Sequence, residues 1–203
     1  MLPRRTAPQP ADGLTPFLPS PDQVVAATRR WLERAVIGLE LCPFARSVHA
    51  KGRIRYVVSP ADDDEALLAD LERELQTLLA SIPEDIETTL LIHPRVLNDF
   101  ADFTRFLDLT DVVLRLHRLE GIVQVASFHP DYVFAGTAAD DVTNCSNRSP
   151  FPTLHLLREA SVERAAAAFP EAATIYERNL QTLRELGHAG WRALDLGVPT
   201  GSR

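Results

Sequence analysis

The chain holds only two cysteines in 203 residues, Cys42 and Cys145. That excludes a disulfide scaffold, and two lone thiols do not make a zinc knuckle. Two free thiols are the expectation. Positive charge is also in short supply: 21 Lys and Arg stand against 28 Asp and Glu, for a formal net charge of -7. Phosphate binding relies on clustered cations that release counterions, so a general nucleic-acid role is not expected. No apolar run approaches the roughly 20 residues that a membrane helix needs, and the amino terminus lacks the apolar core of an export signal. A soluble protein of the reducing cytoplasm, without a membrane partner, is therefore expected. Walker, Rossmann and nucleophile-elbow patterns are missing too, as is any repeat of solenoid length.

What is present is an ordinary globular composition, 45% apolar and 24% charged, enough at this length for one well-buried core. Pro3, Pro8, Pro10, Pro16, Pro19 and Pro21 crowd the start of the chain, where little apolar periodicity offsets the entropy of ordering. Residues 1–21 are read as a flexible proline-rich tail, 22–192 as a single domain and 193–203 as a flexible C-terminus. Ser20-Pro21-Asp22-Gln23 has the pattern of a capping box with proline at the first helical position. Val24, Thr28, Trp31, Leu32, Ala35, Val36 and Leu39 then recur at helical spacing and stop before Pro43.

Residues 54–58, 88–92 and 122–128 are β-favouring runs. Between the first two, Leu67, Leu71, Leu75 and Leu78 form a helical stripe. Between the second pair, Phe100, Phe103, Leu107, Val113 and Leu116 form another, with a break allowed near Thr110 and a stop at Gly121. Beyond the third strand, Leu154, Leu157, Ser161, Ala165 and Ala168 are spaced as a helix broken by Pro170. Ile175, Tyr176, Leu180 and Leu183 follow as a last helix ending at Gly187. The β-α-β-α-β core with flanking helices predicts a compact α/β sandwich on a small, mostly parallel sheet. A ferredoxin-like α+β arrangement is the alternative, because one antiparallel pairing would leave every sequence signal in place.

Candidate chemistry concentrates in residues 128–155. Ligands of open α/β sheets bind beyond the carboxyl ends of the strands, and two strands here end in His-Pro, at His93-Pro94 and His129-Pro130. Proline disfavours helical geometry at the preceding histidine and directs it into an extended exit. Each imidazole then either takes part in chemistry or closes a hydrogen bond at the start of a loop. The segment after His129 is long for a connection, and Tyr132, Phe134 and Phe151 can anchor it, so it is expected to wall a pocket. Within it Asp141, Asn144, Asn147 and Arg148 supply acceptors, amide donors and a fixed cation, the set that holds a small polar anion.

Arg148 is the expected anion anchor, with a structural tie to backbone carbonyls or to Asp141 as the other reading. His155 is placed in the first turn of the next helix, and Arg148, His129 and His155 are expected to converge on one pocket. His129, His155 and Asp141 form the candidate catalytic set; Arg148, Asn144, Asn147 and His93 form the candidate ligand-binding set. The three histidines with Asp141 could also hold zinc, iron or manganese, although their spacing is no known metal signature, and no metal or cofactor is assigned. Cys42, ahead of Pro43-Phe44, is a small buried hydrophobe or, given a partner that lowers its pKa, a reactive thiol. Cys145 lies among polar residues, a setting compatible with exposure.

Three segments, 31–45 (WLERAVIGLELCPFA), 127–136 (SFHPDYVFAG) and 144–159 (NCSNRSPFPTLHLLRE), resemble a bacterial family known as domain of unknown function fourteen-fifteen. The resemblance spans approximately residues 21–191 and implies no activity. It implies that Cys42, His129, Asn147, Arg148 and His155 are motif residues, whereas Cys145 falls where the pattern does not demand cysteine. The expected function is a small-molecule enzyme, a hydrolase or transferase, that uses histidine acid–base chemistry and holds an anionic small molecule with Arg148. A noncatalytic module binding a metabolite or protein, and a metal-dependent protein, are the alternatives.

Overall fold

The computed structural model describes residues 19–168 and 174–197. Of the tail expected over residues 1–21, residues 1–18 lie outside the described residues, as do residues 198–203 and the break expected at Pro170, whereas Ser20 and Pro21 belong to the first helix. Helix α1 (Pro21–Trp31) begins on the expected capping box. The Gln23 N–H donates to the Ser20 hydroxyl at 3.3 Å, and the Ser20 N–H donates to the Gln23 side chain at 2.8 Å. At Leu32 the helix widens into a π turn, Leu32–Ile37. The chain then bends through Glu40, held at φ 57° without the freedom of glycine. It reaches Cys42 ahead of a short helix α2 (Ala45–Ala50), which no periodicity foretells.

One sheet contains β1 (Ile54–Val58), β2 (Thr88–Ile92), β3 (Val123–Phe128) and β4 (Thr153–Arg158), in the order β1-β2-β4-β3. The first three are the expected strands. They run in one direction, linked by α3 (Asp64–Ala80) and α4 (Phe100–Leu116). Strand β4 lies between β2 and β3, antiparallel to both. The α/β class with flanking helices therefore stands, but the sheet is mixed, with one parallel pair, rather than mostly parallel. Helix α4 is unbroken at Thr110, whose hydroxyl donates to the Leu107 carbonyl at 2.8 Å.

The helix expected from Leu154 onward is corrected: residues 153–158 are strand, and α5 (Glu159–Ala167) begins only afterwards. Leu154 and Leu156, both 0% exposed, point into the core under α3 and α4. Leu157 points the other way, so apolar residues occupy both faces and the period of two is masked, as in any strand covered on both sides. Helix α6 (Ile175–Ala193) continues past its expected stop. Gly187, at φ 62° and ψ 174°, kinks it there instead of ending it. Leu194 and Leu196 then return to the cluster around Trp31 and Ala35, and Arg34 donates to the Leu194 carbonyl at 2.9 Å. The packed region thus extends beyond the expected limit at residue 192.

The two faces of the sheet carry separate cores. Val57, Leu91, Val123, Leu154 and Leu156 meet Leu67, Leu71, Leu75, Phe103 and Phe106 of α3 and α4. Ile54, Tyr56, Leu90, Ile92 and Phe128 meet α1, the π turn and the returning C-terminal residues. Alternation along β4 puts His155, opposite Leu90 and Ala126, on the α1 face. Among the described residues no helix is long and apolar enough to cross a membrane.

Candidate functional site

The carboxyl ends of β1, β2 and β3 share one edge of the sheet, and the segment leading to β4 folds over it. His93 N–H donates to the Pro152 carbonyl at 3.0 Å and His129 N–H to that of Asn147 at 3.1 Å. Both imidazoles turn toward α4, where their rings lie 5.7 and 5.1 Å from Phe103. His129 Nδ1 accepts the Asp131 N–H at 3.0 Å, so Nε2 carries the proton and donates to the Leu97 carbonyl at 3.2 Å. His93 Nδ1 donates to the Val96 carbonyl at 3.1 Å, and its Nε2 has no partner. Both residues are 0% exposed. Burial pushes His93 down to about 4 and lowers His129 as well, the latter against the Leu97 carbonyl and the nearby Asp131 and Asp99. Two neutral rings thus fasten consecutive carbonyls of the turn at 94–98, where Leu97 stands at φ 57°.

The polar side chains expected to meet a ligand make bonds within their own segment and to the end of β3. The Asp141 carboxylate accepts the Thr143 hydroxyl at 2.7 Å and N–H at 2.8 Å, which caps a 3-10 helix over Val142–Asn147 and holds the carboxyl below its usual range. Asn144, 0% exposed, accepts from Phe134 N–H and the Thr137 hydroxyl and donates to the Ala138 carbonyl. Asn147 donates to the Ser127 carbonyl at 3.1 Å. Arg148 donates to the carbonyls of Tyr132 at 3.2 Å and Ala139 at 2.6 Å, the structural tie weighed for it from sequence.

His155 lies on the opposite face of the sheet from His93 and His129, whose rings face α4. Its Nε2 lies 2.6 Å from the Thr88 hydroxyl, which passes its own proton to the Leu156 carbonyl at 2.6 Å. The network makes Nε2 the donor, and burial pushes this imidazole also down to about 4. Because β4 is a strand, His155 cannot join His129, and the expected convergence of Arg148, His129 and His155 does not form. Among the described residues no three His, Cys, Asp or Glu side chains are grouped as ligands of a metal ion.

A cleft of about 270 Å³ does form beside the end of β3. The π turn and the bend after it supply Val36, Leu41 and Cys42; the 128–147 segment supplies Phe128, Phe134, Ser146 and Asn147; α6 supplies Tyr176, Asn179 and Leu180. Asn179 donates to the Leu41 carbonyl at 2.8 Å, which ties α6 to the Cys42 bend. Burial pushes the Cys42 thiol up, and the backbone amides of Phe44 and Ala45 offset this in part. Cys145 is 1% exposed and belongs to the wall behind, packed on Leu41 and Leu183. The sequence marks Tyr176 and Leu180 only as part of the apolar stripe of the last helix and gives Asn179 no role, although the helical spacing of the three puts them on a shared face.

A second, more open cavity of about 740 Å³ lies between the amino ends of α3 and α4. Its charges largely answer one another. Asp63 caps α3 through the Ala66 N–H at 2.8 Å, Asp102 bonds Arg105, and Asp62 lies 4.0 Å from Arg95.

Fold and cleft together define a small α/β domain on a mixed four-stranded sheet, with a recess at the carboxyl end of an edge strand. The chain belongs to the DUF1415 family, a family of proteins of unknown function, whose model matches residues 23–193. Comparison with curated proteins and with solved structures finds no match.

Proposed function

We propose that the protein binds a small, largely apolar molecule in the cleft beside Cys42. One observation carries this reading: three segments remote in sequence meet around a single concavity. Its walls are mostly apolar, with a thiol, amides and hydroxyls at fixed points, which is the make-up of small-molecule pockets. The backbone leading to it supports the reading. A π turn and a left-handed non-glycine residue both carry a conformational cost and recur at functional sites. The Tyr176 hydroxyl and the second N–H of the Asn147 amide, the first being given to Ser127, suit a carbonyl or carboxylate oxygen, so an anionic end is within the ligand class.

Catalysis of the hydrolase or transferase kind is the second reading. The backbone amides of Phe44 and Ala45 favour it, because they lower the Cys42 pKa against the larger effect of burial. His155, neutral and oriented by Thr88, is the imidazole that fits an acid–base role in it; its ring lies 6.1 Å from that of Phe128, a cleft residue.

A thermal-shift screen against small organic acids, amides and esters tests the proposal, with Leu180→Trp as the variant that fills the cleft. A compound that raises the midpoint of the parent chain and not of Leu180→Trp is the expected result. Turnover of an ester or thioester that Cys42→Ala abolishes while binding persists would favour the second reading. A ligand that stabilises parent and Leu180→Trp equally would sink both.

A further inference from the structure

Helix α4 carries an apolar stripe on its outer side. Leu109, Val112 and Leu116 are 41%, 39% and 75% exposed, and their spacing of three and four residues puts them on one helical face. Scattered exposed apolar side chains are normal, but three in register along one helix form a continuous strip. Asp108 and Arg115 border it. Neighbouring charges are paired within the chain, Arg105 with Asp102 and His117 with Glu72, whereas no ion pair joins Asp108 or Arg115 to the rest of the described residues.

We propose that two copies of the chain associate through this stripe, with their α4 helices antiparallel about a two-fold axis beside Val112. Leu109 precedes Val112 by three residues and Leu116 follows it by four, so in an antiparallel pair each Leu109 faces the other copy's Leu116 to within about one residue rise, ~1.5 Å. Asp108 precedes Val112 by four and Arg115 follows by three, so the same axis brings Asp108 alongside Arg115 of the second copy. Apolar and charged positions are therefore both self-complementary, as an isologous interface requires. A partner of other sequence would have to reproduce this pattern, and a second copy already has it. The inference is independent of the cleft.

Sedimentation velocity of the full chain over a concentration series is the test. The expected result is a mass rising toward twice the 22.5 kDa of one chain. Leu116→Glu should return it to the monomer, with the thermal midpoint unchanged at dilutions where the parent is itself monomeric, since this side chain is mostly outside the core. Asp108→Arg and Arg115→Asp should each weaken association about tenfold by opposing like charges, and the double variant should restore it. A monomer at every concentration, a dimer that survives Leu116→Glu, or a double variant no tighter than the singles overturns the proposal.

Discussion

His93 and His155 are held near pKa 4 in the fold, whereas an unperturbed imidazole titrates near 6.5. The folded values lie below the unfolded one, so as pH falls the unfolded chain takes up protons first. Their contribution to stability is complete above about pH 6.5 and is lost as pH falls toward about 4. For His93, which is wholly buried, the loss is on the order of 3 kcal/mol. Denaturant unfolding at pH 7, 5.5 and 4.5 should show this decline, and His93→Gln should show less of it. An identical pH dependence in both proteins would remove the histidine explanation. Arg148 makes a different prediction. Because it bonds two carbonyls of its own loop, Arg148→Ala should lower stability by about 1–3 kcal/mol and speed amide exchange over residues 132–139. Arg148→Lys should recover little, as an ammonium lacks the planar fork that reaches both carbonyls. If hydrogen exchange is unchanged in the alanine variant, the tie is not structural.

At the scale of elements, β4 distinguishes two readings of one stretch of sequence. A helix through Leu154 and Leu157 would bury those two and leave Leu156 off the face, whereas the strand buries Leu154 and Leu156. Leu156→Ala is therefore expected to cost about 2–5 kcal/mol and Leu157→Ala clearly less, as measured by denaturant unfolding. Equal costs would contradict the strand. This element also shows what is legible locally. The capping box at Ser20, the runs at β1 to β3 and the stripes of α3 and α4 are each encoded within a few neighbouring residues. The fate of 153–158 depends on β2, more than 60 residues earlier, which no local period reports. The cleft divides in the same way. Cys42 and Asn147 stand out in the sequence as chemically equipped residues, and both line it. Tyr176 and Asn179 come from a helix whose partner surface exists only after folding, and the histidines divide between opposite faces because of a strand that sequence periodicity reads as helix.

For the molecule as a whole, the last strand among the described residues is an interior strand of the sheet. Before β4 arrives, β2 and β3 have open edges facing each other, and the sheet consists of one parallel pair and a separate strand. Truncation after residue 152 is accordingly expected to leave a chain without cooperative unfolding, which near-ultraviolet circular dichroism and calorimetry would report. A cooperative transition in that fragment would show that β1, β2 and β3 close without the insert. The same wiring bears on synthesis. A ribosome releases β1, β2 and β3 well before the strand that joins them, so the nascent chain carries unpaired strand edges until residues 153–158 have emerged. Such late, long-range pairing slows folding, and it makes the interval before β4 emerges the one in which chaperone capture or misassembly competes with folding.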